Sequence, residues 1–163
     1  MKSSINRLLI SVLLPLLVGF AGSLVTSPAI EGWYANVNRP SFAPPNSVFG
    51  PVWTLLFILM GIALFLVWQQ PVKKSSKKQQ LAKKEAVACF LTQLLFNFLW
   101  SYLFFGLQLP WAAFVEIIVL WALIAATIIR FERIKPLAAY LLLPYILWVT
   151  FASVLNFAFA YIN

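Results

Sequence analysis

Five apolar runs, each about 20 residues long, constrain this chain more than any other feature. An α-helix rises 1.5 Å per residue, so about 20 residues cross the roughly 30 Å hydrocarbon core of a bilayer. The runs fall at about 7–27, 48–69, 85–105, 110–130 and 136–160, which leaves no room for a soluble domain in 163 residues. Hydrophobic residues make up 63% of the chain and charged residues 10%, with a mean hydropathy of +0.91. A soluble domain is roughly half apolar and a quarter charged. The fold class is therefore an all-α integral membrane protein, a single domain over 1–163 built as a bundle of five transmembrane helices. The first run follows a short basic leader, Met1 to Arg7, and is longer than the 7–15 residues or so of a secretory signal, so it reads as an uncleaved membrane helix.

Between the first two runs lies a proline-rich stretch, 28–47. Pro28 is expected to end the first helix, and Pro40, Pro44 and Pro45 fix their own φ while pushing the preceding residues toward extended geometry. A loop so constrained is stiff and can act as a lid. Asn46 or Ser47 is placed to cap the next helix, and Pro51 is compatible with that helix only near its first turn. Trp53 then lies just inside the membrane, beneath the loop.

Charge sets orientation. The N-terminus, the connector bearing Lys73, Lys74, Lys77, Lys78, Lys83 and Lys84, and the turn with Arg130, Arg133 and Lys135 share one side. Arg39 alone lies on the other. By the positive-inside rule the lysine side is cytoplasmic, and the proline loop and C-terminus face outward. The expected location is a bacterial inner (plasma) membrane. A lysine run can also bind anionic lipid or nucleic acid, but topology already accounts for the net charge of +8, and no nucleic-acid partner is expected. Histidine is absent and Cys89 stands alone, which removes the usual imidazole ligands for iron or zinc and any intrachain disulfide. No metal site is expected.

Polar residues inside the runs mark where the bundle interior lies. Gln93, Asn97, Ser101 and Phe104 share one face of the third run, since they are spaced by three or four residues. An unsatisfied amide in hydrocarbon costs several kcal/mol, so Gln93 and Asn97 either join neighbouring helices or line a cavity. Tyr145, Trp148, Ala152 and Phe159 share a face of the fifth run, with Asn156 nearby, and small Ala152 between aromatics suggests a gap. Trp33, Trp68 and Trp111 lie near run ends, where interfacial belts are usual, whereas Trp53, Trp100, Trp121 and Trp148 lie deeper.

WY at 33–34, RPSFAPP, FGPVWTLL with Gly61 further on, QLLFNFLWSYLFF and LLLPYILWVTFASVLNF, in that order, resemble the translocator protein family, also called tryptophan-rich sensory proteins or peripheral-type benzodiazepine receptors. The resemblance spans about Trp33 to Asn156. It implies a five-helix membrane bundle, often a homodimer, with a pocket beneath the first long loop. The implied ligands are porphyrins such as protoporphyrin IX, benzodiazepine-type and isoquinoline compounds and, in some members, sterols. The matching pocket positions are Trp33, Tyr34, Pro44, Trp53, Gln93, Asn97, Trp100, Tyr145, Trp148 and Ala152. Two departures stand out. Phe57 occupies a place where the family commonly has tyrosine, and no basic residue follows Tyr161 to complete the sterol-associated pattern.

Residues and resemblance converge on porphyrin binding. Indoles at Trp53 and Trp148 offer stacking faces, Gln93 and Asn97 offer donors, and Arg39 in the loop is placed to meet a propionate. Without histidine the porphyrin is expected metal-free, as a ligand and not a required cofactor, because Cys89 and Met60 are weak axial ligands. The resemblance also implies roles in tetrapyrrole transport, regulation or light-dependent breakdown, but no acid–base or nucleophilic constellation of a conventional enzyme is visible. Two alternatives remain: a proton-coupled small multidrug transporter using Glu116, and a ligand-free membrane scaffold. Glu116, placed near the outer end of its run, is expected to be hydrated or bonded to a neighbour.

Overall fold

The computed structural model describes residues 2–73 and 75–163; Lys74 of the lysine connector lies outside them. The elements in chain order are α1 (Lys2–Glu31), α2 (Trp33–Asn36), α3 (Asn46–Trp68), α4 (Lys77–Ser101), a π-helical turn at Tyr102–Gly106, α5 (Pro110–Glu132), α6 (Pro136–Tyr140) and α7 (Leu143–Ile162). Among the described residues, five segments are long and apolar enough to cross a membrane: Ser4–Asn36, Asn46–Trp68, Lys77–Gly106, Pro110–Glu132 and Pro136–Ile162. Hydrocarbon offers the backbone no hydrogen-bond partner, so an apolar run of this length satisfies itself as helix.

The helices close into a ring. α1 packs on α3 and α4, α4 on α5, α5 on α6 and α7, and α6 returns to α3. Leu56, Met60 and Leu64 of α3, Phe90 and Leu94 of α4, Ile117, Leu120 and Ile124 of α5, and Tyr145 and Val149 of α7 form one buried core. α1 approaches α3 most closely at Gly61, where a β-carbon would lie 2.5 Å from Val12 Cα and 2.8 Å from the Ser11 carbonyl oxygen. Only glycine lets the two backbones come this near.

Several helix ends differ from the sequence reading. Pro28 does not end the first helix, which contains both Pro15 and Pro28 and runs on to Glu31. A proline removes one N–H, but the turn after it still closes, with Gly32 N–H donating to the Pro28 carbonyl at 3.2 Å. Continuing forfeits one bond where unwinding would expose several backbone groups. The expected lid of 28–47 thus becomes the end of α1, the short α2 and an irregular loop, 37–45. Neither Asn46 nor Ser47 caps α3, because Pro45 holds the N-cap position in extended geometry with no side-chain cap bond. Pro51 lies beyond the first turn, inside α3. The lysine connector is shorter than expected, since α4 begins at Lys77, capped by Ser76, whose Oγ accepts from Gln79 N–H. The last span is broken between Tyr140 and Leu143, where Pro144 enters α7 at its first turn.

Candidate functional site

A cavity of about 540 Å³ lies inside the ring, at the end where α2, the 37–45 loop and the 107–109 turn gather. Its walls come from the second half of α1, the first half of α3, the end of α4 and the 148–159 stretch of α7. Tyr34 of α2 joins them as a roof, its ring 5.2 Å from Phe159, 5.6 Å from Phe105 and 6.5 Å from Phe104. No α5 residue lines the cavity.

On α3, Trp53 and Phe57 stack at 5.6 Å with 29° between their planes, and Gly19 of α1 makes room for the Phe57 ring. A β-carbon at Gly19 would sit 2.3 Å from the Phe57 ring. Phe57 therefore fills its place as an apolar wall. On α4, Trp100 stacks on Phe104 at 5.4 Å, and its indole N–H donates to Asn156 Oδ1 at 2.9 Å. Asn156 passes the connection on by donating to the Pro110 carbonyl at 2.8 Å, so one amide ties α4 and α7 to the start of α5. The π-helical turn carries Phe104 and Phe105 to the same corner, 4.9 Å apart. On α7, Trp148 meets Phe49 edge-on at 5.9 Å, and its buried indole N–H has no hydrogen-bond partner among the described residues. Ala152, one turn along, is the small side chain that keeps this wall set back.

Below the cavity lies a polar relay. Asn97 Nδ2 donates to Tyr145 Oη at 3.0 Å, and the Tyr145 hydroxyl donates to Gln93 Oε1 at 2.9 Å. Asn97 faces the cavity, whereas Gln93 and Tyr145 lie beneath it in the core. The two readings of the third-run face, glue and cavity, thus divide one turn apart on α4. Tyr145 also meets Trp53 edge-on at 6.2 Å, so the relay supports the aromatic wall.

The structure brings together Tyr34, Trp53, Phe57, Asn97, Trp100, Trp148 and Ala152 around the cavity, and it places the other expected residues around or behind them. Trp33 packs edge-on against Phe104 at 5.7 Å, behind the wall. Arg39 turns back on its own loop, donating to the Pro44 carbonyl at 3.0 Å with its guanidinium 5.2 Å from the Tyr34 ring. Pro44 thereby serves as the anchor for Arg39. The loop is further pinned by Asn163, which accepts from Asn38 N–H at 2.9 Å and donates to the Asn38 carbonyl at 3.0 Å. Trp121 lies on the outside of the ring and bonds Thr150 at 2.8 Å.

Sequence reasoning missed the α1 wall. Gly22, Ser23, Thr26 and Ser27 all line the cavity, and the small-residue stretch from Gly19 to Ser27 was its signal. Ser23 and Ser27, with Gly50 and Thr54 of α3, line the cavity and remain exposed, so the cavity is open along the seam between α1 and α3. Glu116 is corrected. It is buried, and neither carboxylate oxygen has a hydrogen-bond partner among the described residues, so it is neither at the hydrated surface nor bonded to a described neighbour. It lies outside the cavity wall.

A ring of five membrane-spanning helices closed around an aromatic pocket defines an all-α integral membrane protein with a walled interior site. Residues 11–162 match the TspO/MBR family, and the chain belongs to that family. It is 45% identical over 160 residues to the tryptophan-rich protein TspO of Archaeoglobus fulgidus, covering 98% of this chain and 99% of that one. It is 35% identical over 146 residues to the human translocator protein, covering 89% and 83%. It is also 35% identical over 127 residues to the tryptophan-rich sensory protein of Cereibacter sphaeroides, covering 78% and 74%.

Proposed function

We propose that this protein binds porphyrins such as protoporphyrin IX, and related flat hydrophobic molecules, in the cavity beneath α2 and the 37–45 loop. The observation that carries the reading is the convergence of Trp53, Trp100 and Trp148 from three helices on one cavity of about 540 Å³. That volume is within the usual range for small-molecule sites, roughly 300–1,000 Å³. Indoles give a flat π-system large contact area and favourable stacking. The unpartnered Trp148 N–H adds a donor, since a buried donor without an acceptor costs about 1–3 kcal/mol and a ligand acceptor relieves that cost. Asn97, already oriented by Tyr145, supplies a second polar contact. Tetrapyrrole transport, regulation or light-dependent breakdown would follow from such binding. Family membership also favours a homodimer, and the distribution of Lys and Arg favours a cytoplasmic N-terminus in a bacterial inner membrane.

Titration of the purified protein with protoporphyrin IX while following tryptophan fluorescence tests the reading. Saturable quenching at near-stoichiometric ligand is expected, and quenching that stays linear, as for free tryptophan in the same detergent, would sink it.

A second reading rests on Glu116, a buried intramembrane carboxyl with no hydrogen-bond partner among the described residues. Such a group is a candidate for proton coupling. Uptake of a hydrophobic cation into sealed vesicles, driven by a pH gradient and abolished by Glu116→Gln, would favour a transporter; gradient-independent uptake would remove this reading.

A further inference from the structure

The end of the bundle opposite the aromatic cavity holds a second recess, of about 520 Å³, between the 70–72 stretch that follows α3, the first turns of α4 and the end of α5 with the turn after it. Its charged lining is Lys83, Arg130 and Arg133 against the single carboxylate of Glu85. Lys83 is partly committed, its ammonium donating to the Trp68 carbonyl and, at 2.8 Å, to the Gln70 carbonyl. It thereby neutralises the carbonyl end of α3 and keeps one of its three donors. Arg130 spends one N–H on the Ala126 carbonyl at 3.0 Å, which leaves most of its five-donor fork. The Arg133 side chain is exposed and makes no hydrogen bond or ion pair among the described residues. Glu85 likewise pairs with none of these cations among the described residues.

A topology signal requires positive charge on this side of the membrane, but it does not require two guanidinium groups and an ammonium to converge on one recess with donors unspent. The position of the recess selects the ligand. Ile129, half exposed on the outer face of α5, lines it beside Arg130, and Trp68 at the end of α3 bonds the same Lys83. Tryptophan and the cationic ends of membrane helices mark the headgroup level, and basic pockets between helices there suit anionic headgroups. We propose that this recess binds the phosphodiester headgroup of an anionic phospholipid. Arg130 and Arg133 donate to the phosphate oxygens, Lys83 supplies charge behind them, and the acyl chains run down past Ile129.

The test uses the full chain in detergent, with phosphatidylglycerol or phosphatidylcholine added and bound lipid read by native mass spectrometry. Phosphatidylglycerol is expected to be retained selectively and to raise the melting temperature. Arg130→Gln with Arg133→Gln should weaken it about 30-fold, two cations each worth about a factor of five, whereas Lys77→Gln with Lys78→Gln, outside the recess, should change it about two-fold or less. Should the arginine pair not fold, Arg133→Gln alone, at an exposed side chain, is expected to lose about five-fold. Equal retention of the two lipids, or unchanged phosphatidylglycerol binding in whichever arginine variant folds, overturns the site. Inorganic phosphate or glycerol phosphate is expected not to compete at millimolar concentration. Competition by either would overturn the lipid assignment in favour of a soluble anion.

Discussion

Trp53 and Trp148 separate a stacking wall from a packed core. Each already has an aromatic neighbour, Phe57 and Phe49 respectively, yet each also lines the cavity. In Trp53→Leu or Trp148→Leu an apolar side chain remains but a stacking face is lost. Porphyrin affinity should fall by a factor of roughly 2 to 12, the equivalent of about 0.5–1.5 kcal/mol, with little change in melting temperature. Trp121→Leu, on the outside of the ring, should leave affinity alone. Wild-type affinity combined with earlier melting in both cavity variants would assign the indoles to packing. At this scale the sequence distinguished polar from apolar faces but not depth along a helix. Gln93 and Asn97 share a face, and only the position of Tyr145 across the bundle puts one beneath the cavity and the other on its wall. Arg39 shows the same limit: its charge was legible, whereas its closure onto Pro44 and Tyr34 depends on the fold of the loop.

Helix identity was legible because apolar length alone decides it in a bilayer, and every expected run became a spanning segment. Helix ends were not, because the rules used to place them assume water. Pro28 reads as a stop where solvent can take up freed backbone groups, and α4 gains polar turns from Lys77 onward that hydropathy cannot register. The α1–α3 contact gives a sharp test of packing at the level of whole elements. Gly61→Ala drives its β-carbon into the backbone of α1 and should cost about 1–3 kcal/mol, seen as a lower melting temperature in detergent. Gly50→Ala is the control on the same helix. Its β-carbon would meet nothing within 4 Å, so stability should hold or rise slightly, by about 0.5–1 kcal/mol from the better helix former. Equal losses in the two variants would mean that α1 and α3 do not meet through Gly61.

For the whole molecule, three of the five membrane-length segments lie between Ser76 and Asn163, so an odd number of crossings is expected to separate them. Reporter fusions at Ser76 and after Asn163 should therefore report opposite compartments, with Ser76 cytoplasmic. The same compartment for both would break the five-span topology. The open seam between α1 and α3, lined by Ser23, Ser27, Gly50 and Thr54, bears on how any measured affinity is to be understood. A hydrophobic ligand arriving through that seam comes from the bilayer, not from water, so its concentration in the lipid sets occupancy. Partitioning then behaves as a competing reservoir. At fixed protein, doubling the lipid volume should nearly double the total ligand needed for half-saturation, while half-saturation expressed as ligand per lipid stays constant. Two members of one family could thus differ widely in apparent dissociation constant with identical pockets, merely by being assayed in different amounts of membrane.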